Sequence, residues 1–234
     1  MTIKAIFFDA AGTLIKPSRP VGQSYAVIAE KYGMSISPAD INERFRICFA
    51  ASPPLAFSAL SADPVEQLER QWWRQVVRQV FAPWDRFERF DEYFAELFSY
   101  FAQPGAWTLY TEVNETLAAL KNRGLLLAVI SNFDSRLIGI LDGLGVAHWF
   151  EDIFISSRIG HAKPAREIFQ AALARHTLAP HEAMHVGDSE ECDLRGAGNA
   201  GVKGILIDRT LNLSQQEFVR IKNLGEILSL LDSD

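Results

Sequence analysis

Cysteine is scarce in this chain: only Cys48 and Cys192 occur among 234 residues, far apart in sequence. One such pair gives no disulfide framework, and neither position has metal-ligand spacing, so a reducing compartment fits. Surplus positive charge is missing too. The 23 Lys and Arg against 29 Asp and Glu leave a formal charge of −6. Nothing basic is concentrated enough to neutralise a row of phosphates, which argues against a nucleic-acid or anionic-membrane partner. The opening residues, Met1-Thr2-Ile3-Lys4, carry no basic leader, long apolar stretch or small-residue cleavage site, so the expected location is cytoplasmic. Repeats and low-complexity tracts are absent. What remains, 48% hydrophobic and 22% charged, reads as a globular chain with room for a substantial core.

Two textures share the chain. A short strand, Ala5–Asp9, rich in Ile and Phe, closes in a glycine turn. From Ser18 to Phe101 the pattern is helical, with segments Val21–Tyr32, Pro38–Phe49, Pro64–Phe81 and Arg86–Phe101 and no clear strand. Beyond the break at Pro104-Gly105, apolar runs alternate with helices. The runs are Leu125–Ile130, Asp152–Ile155, Ala183–Val186 and Gly204–Ile207; the helices are Asn114–Arg123, Ser135–Leu144, Arg166–Arg175 and Asp193–Ala200. This alternation predicts right-handed βαβ units, hence an α/β fold with a parallel sheet covered on both faces. The expected division is a core of residues 1–17 and 103–234 with an all-helical insert over 18–102.

In an open parallel sheet the site lies outside the carboxyl ends of the strands. The residues just past each run form a coherent set: Asp9 and Thr13, then Ser131 and Asn132, then Lys163 in "GHAKP", then Gly187, Asp188 and Asp193. Taken singly, each has a plain structural reading, since strand-end Asp and Ser often cap helices and loop lysines are usually solvated. Together they point to chemistry. Three carboxylates at one edge repel one another unless a cation sits among them, and oxygen-only ligands favour Mg2+. A lysine and a hydroxyl beside them suit a small-molecule phosphate.

Asp9 with Gly12-Thr13-Leu14, Ser131 after an apolar strand, Lys163-Pro164, and Gly187-Asp188 with Asp193 resemble the four ordered motifs of the haloacid dehalogenase-like hydrolase superfamily. The resemblance spans most of the chain. It implies a Rossmann-like core, a helical cap over the active site, a covalent aspartyl intermediate and Mg2+. In that reading Asp9 is the nucleophile. Gly12, Thr13, Ser131 and Asn132 contribute to the phosphate site, and Lys163 neutralises charge shared by Asp9 and the phosphoryl group. Asp9, Asp188, Asp193 and the backbone carbonyl of Ala11 would hold the metal.

One position departs from the pattern. Phosphatases of the superfamily carry a second aspartate where this chain has Ala11, and that aspartate protonates the leaving oxygen and later activates water. Ala11 does neither. A positioned acid or base typically contributes about 100- to 10,000-fold, so hydrolysis of ordinary monoesters is expected to be slow. His161 or Glu190 would be the replacements within sequence reach. Alternatives follow from the same alanine: carbon–phosphorus cleavage through a Schiff base on Lys31 or Lys16, haloacid dehalogenation, or a phosphate-binding regulatory protein without turnover. Substrate-choosing candidates in the helical insert are Arg19, Tyr25, Arg44, Arg46, Trp72, Trp73 and Arg74, with one of the adjacent tryptophans expected in the core and the other lining the cleft or meeting a partner.

Overall fold

The computed structural model describes residues 2–57, 63–84, 87–209 and 219–233. The chain opens with β1 (Ala5–Phe8) and the short β2 (Ile15–Pro17), then enters four helices. These are α1 (Val21–Glu30), α2 (Pro38–Ala50), α3 (Val65–Phe81) and α4 (Phe90–Tyr100). The chain returns through β3 (Trp107–Leu109), α5 (Val113–Asn122), β4 (Leu126–Ser131), α6 (Arg136–Gly143) and β5 (Asp152–Ile155). A short α7 (Ser156–Ile159) precedes α8 (Arg166–Arg175), β6 (Ala183–Gly187), α9 (Gly196–Asn199), β7 (Lys203–Ile207), β8 (Arg220–Ile221) and α10 (Ile227–Ser233).

Six strands form one parallel sheet in the order β5-β4-β1-β6-β7-β8, a Rossmann-like arrangement. Central β1 is buried along its whole length, AIFF. Its side chains alternate between two cores. Ile6 and Phe8, with Leu127, Val129, Met184 and Val186, pack beneath α5, α6 and α10. Ala5 and Phe7, with Ala128 and Ile130, pack against Ile168, Phe169 and Leu173 of α8. Helices on both faces explain why the strands read as continuous apolar runs.

The insert has a core of its own. On α3, Trp72, Val76, Val77, Val80 and Phe81 are buried, and beside them Arg70, Arg74 and Arg78, four residues apart, lie over the rings of Phe90, Phe94 and Phe98 on α4. Tyr25, Phe81, Tyr93, Phe94 and Leu97 meet as an aromatic-rich cluster. The expected helical texture is present, with α4 beginning at Phe90; Arg86, the expected start, lies outside the described residues. Two features depart from the sequence reading. The insert hangs on an antiparallel pair, β2 with β3, in which Lys16 faces Thr108. The segment expected as one helix over Asp193–Ala200 is a wide turn, Glu190–Arg195, followed by the single turn of α9.

Candidate active site

The loop leaving β1 is wound around one carbonyl. Ala10 O accepts from Leu14 N at 2.8 Å and Ile15 N at 2.9 Å, while Gly12 N donates to Ile15 O at 2.8 Å. Gly12 sits at φ +94°, and a Cβ there would lie 2.1 Å from Asp188 Oδ2. Both its backbone and its lack of a side chain are required. Gly187 answers a similar demand, since a Cβ there would meet the Asp193 carboxylate at 2.0 Å. The two glycines let two carboxylates approach the β1 loop.

Asp9, Asp188 and Asp193 converge so closely that one oxygen from each lies within 4.8 Å of the others. Lys163 bridges two of them, with Nζ 2.7 Å from Asp9 Oδ1 and 2.6 Å from Asp193 Oδ1. Ser131 Oγ donates to the same Asp9 oxygen at 3.2 Å. Asp193 is further fixed by His185 Nε2, 2.8 Å from Oδ1, and by Ser189 N, 3.0 Å from Oδ2. His185 is fully buried, its ring edge-on to Phe169, and its Nδ1 has no partner among the described residues. The neutral imidazole that donates from Nε2 is consistent with this, because burial depresses its pKa.

Electrostatics separates the three carboxyls. Burial raises Asp9 despite the adjacent ammonium. Asp193 is held well below the usual carboxylate range: burial opposes this, but Lys163 and His185 prevail. Burial likewise works against the charge of Lys163, and the two carboxylates outweigh it, so the ammonium persists. Among the described residues Asp188 has no such partner. Desolvation in the cleft and the charges of Asp9 and Asp193 push it up to about 7. Oxygen donors with excess negative charge form a site suited to a hard cation.

Other candidates take different places. Asn132 is engaged with the backbone of Lys163, its Nδ2 donating to Lys163 O at 2.8 Å and its Oδ1 accepting from Lys163 N at 2.7 Å. It ties the loops after β4 and β5 together. Thr13 is fully buried, and its hydroxyl has no partner among the described residues. The amide of Gly12 is occupied by Ile15, so the glycine contributes shape rather than a free donor. His161 is exposed, and Glu190 accepts from Arg220 at 3.4 Å. Lys31 pairs with Glu96 on the surface, and Lys16 lies over the Tyr110 ring. Neither lysine is a buried amine of the kind a Schiff base needs.

The tryptophan pair divides as the sequence suggested. Trp72 packs with Leu55 and Val76 and donates to Pro53 O at 2.9 Å. Trp73 instead lines a cavity between insert and core and donates to Asp134 Oδ2 at 2.6 Å. Arg44 donates to Gln79 O, Arg46 lies 3.6 Å from Glu43, and Arg74 pairs with Asp91. Sequence reasoning missed His185, whose place two residues before Gly187 inside an apolar strand was the available signal. It also missed Arg209, which donates to Thr13 O at 2.8 Å, stacks over Tyr110 and pairs with Glu112 at 2.7 Å.

The profile of the haloacid dehalogenase-like hydrolases matches residues 3–201. The chain belongs to that family. Haloacid dehalogenase-like hydrolase domain-containing protein 3 of Homo sapiens is 34% identical over 210 residues, covering 88% of this chain and 82% of that protein. Phosphoserine phosphatase of Thermus thermophilus is 34% identical over 139 residues, covering 55% and 53% of the two chains. Among solved structures, the HAD phosphatase from Thermococcus onnurineus shares the fold at a TM-score of 0.67 and 23% identity, covering 98% of each chain. The family is thus one of hydrolases, and its Rossmann-like core is the one described above. Among the described residues, no helix is long and apolar enough to cross a membrane.

Proposed function

We propose that this hydrolase transfers a phosphoryl group from a small phosphorylated metabolite to Asp9 and then to water, with α1–α4 acting as the cap over the cleft. The observation that carries the reading is the pinning of Asp9: Lys163 and Ser131 both bind Oδ1. Oδ2, with no hydrogen bond among the described residues, is left to attack phosphorus in line. Lys163 then neutralises charge shared by the carboxylate and the phosphoryl oxygens, and Ser131 offers its hydroxyl to one of them. The phosphoserine phosphatase among the relatives supports phosphorus chemistry.

The clustered carboxylates fit Mg2+ by charge and donor type, with Asp9, Asp188, Asp193 and the Ala11 carbonyl as the residues to hold it. When bound, the ion would add positive charge to that of Lys163 and offset the charge of the transferred phosphoryl group. In the first step the Asp9–phosphorus bond forms and the ester P–O bond breaks, its electron pair leaving with the departing oxygen. In the second, water attacks phosphorus, Asp9 departs as a carboxylate, one water proton stays on the new phosphate hydroxyl and the other passes to phosphate or solvent. Ala11 offers no acid to the first step and no base to the second.

The test is single-turnover mixing of excess protein with Mg2+ and p-nitrophenyl phosphate, whose leaving group barely needs a proton. A Mg2+-dependent burst of nitrophenol, absent in Asp9→Asn, is the expected result. No burst while phosphate still binds would favour a phosphate-binding protein and sink the catalytic reading.

A further inference from the structure

Between α1, α3 and α4 above and the core below lies a cavity of about 70 Å3. Tyr25, Trp73, Val77, Leu97 and Phe133 line it, and among the described residues the only charged side chain in its wall is Arg136. The cavity is close to the pinned carboxylate. Phe133 is two residues beyond Ser131, so their Cα atoms are at most about 7.6 Å apart, and Ser131 Oγ reaches Asp9 at 3.2 Å.

The charged side chain and the indole N–H of the wall are already engaged, which leaves the Tyr25 hydroxyl as its polar group without a hydrogen bond among the described residues. Arg136 donates to both oxygens of buried Asp134, at 2.8 and 2.6 Å, and to Phe98 O at 3.1 Å. Trp73 gives its indole N–H to the same carboxylate. A sugar hydroxyl, or the ammonium and carboxylate of a phosphoserine, would lose water here and gain no charged partner. An alkyl group would lose nothing. A cavity of about 150 Å3 takes benzene, so one of about 70 Å3 holds on the order of three carbons. The second observation is independent. Ala11 gives the leaving oxygen no proton, and a carboxylate leaving group needs none.

From these two features we infer that the substrate is a short-chain acyl phosphate, its alkyl chain seated in the cavity beneath Trp73 and Val77 and its phosphoryl group presented to Asp9. The inference rests on the phosphoryl-transfer reading. Asp9 attacks phosphorus, the P–O bond of the mixed anhydride breaks, and its electron pair leaves on the carboxylate without a proton. Water then hydrolyses the aspartyl phosphate as above.

The experiment compares kcat/KM for acetyl, propionyl and butyryl phosphate with Mg2+, where chain length changes and leaving-group acidity barely does. A gain of about fourfold per added methylene is expected until the cavity is full. Glycoloyl phosphate, which adds a hydroxyl to the acetyl compound, is expected to fall below it. Val77→Thr, equal in shape but carrying a hydroxyl, is expected to flatten the chain-length series. A flat or falling series in the wild type, or a preference for the hydroxylated substrate, would overturn the assignment. A second readout does not use activity: methyl NMR of Val77 and Leu97 in the wild-type protein under cyclopropane. Saturable shifts at both methyls are expected, and their absence overturns the cavity's role. If the shifts occur while Asp9→Asn turns over acyl phosphates as fast as wild type, it is the catalytic reading that has failed.

Discussion

Replacing Asp188 by Asn should make the metal-free protein more stable, although it removes a residue of the site. Among the described residues Asp188 is the carboxyl of the site without a cationic partner, and its pKa moves from 3.8 to about 7 on folding. A group raised in the folded state favours folding below its unfolded pKa, and that advantage is lost as pH rises through the folded value. At pH 8 the folded protein therefore carries the full electrostatic handicap, and at pH 4 almost none. For a fully buried group the shift corresponds to about 4 kcal/mol, at about 1.36 kcal/mol per pH unit. Asp188 is exposed, so solvent screening reduces this to about 1–2 kcal/mol. In a chain of this size that is a rise in Tm of about 3–6 °C. Thermal melts of wild type and Asp188→Asn in EDTA at pH 8 and pH 4.5 measure it, with Mg2+ added in a second series. The variant should lead at pH 8, converge with wild type at pH 4.5, and lose the Mg2+ stabilisation that wild type gains. A lower Tm for the variant in EDTA at pH 8 would refute the reasoning.

Three further outcomes are expected. Ala11→Asp should raise turnover of alkyl phosphates by about 100-fold or more while changing p-nitrophenyl phosphate far less, measured as the ratio of the two kcat values; equal effects on both would show that proton transfer is not what the alanine omits. Lys163→Met should abolish the burst and destabilise the protein by about 3–5 kcal/mol, because it leaves Asp9 and Asp193 buried without their shared cation, as denaturant titration would show; an unchanged midpoint would contradict the bridge. Thr13→Val removes a buried hydroxyl that has no partner among the described residues, so stability should hold or rise by about 1 kcal/mol. A large loss of stability would mean the hydroxyl is bonded after all.

Much of this molecule is legible in its sequence because the sheet is covered on both faces. Leu127–Ile130 is apolar throughout and Ala183–Val186 is apolar but for His185, and that leaves visible runs. The strand tips are legible for the same reason, since Asp9, Ser131 and Asp188 are the first polar residues after each run. What was not legible depends on contacts between distant segments. β2 and β3, three residues each, exist only because Ile15 meets Leu109 across the insert. Asn132 read as a ligand group, yet its amide is claimed by the backbone of Lys163, 31 residues on. His185 hides in an apolar strand because Asp193, a partner eight residues away, compensates its burial.

The contact between α3 and the core has a consequence for how the cleft opens. Glu69 is 2% exposed, and a single oxygen, Oε1, accepts from Ser135 N at 3.0 Å, Ser135 Oγ at 2.7 Å and Ser157 Oγ at 2.6 Å. Three donors from two separate core segments converge on this one buried oxygen of α3. Lifting α3 from the core would cost these three bonds together with those from Trp73 to Asp134 and from Arg158 to Glu66, so the roof of the cleft is clamped at several points along one helix.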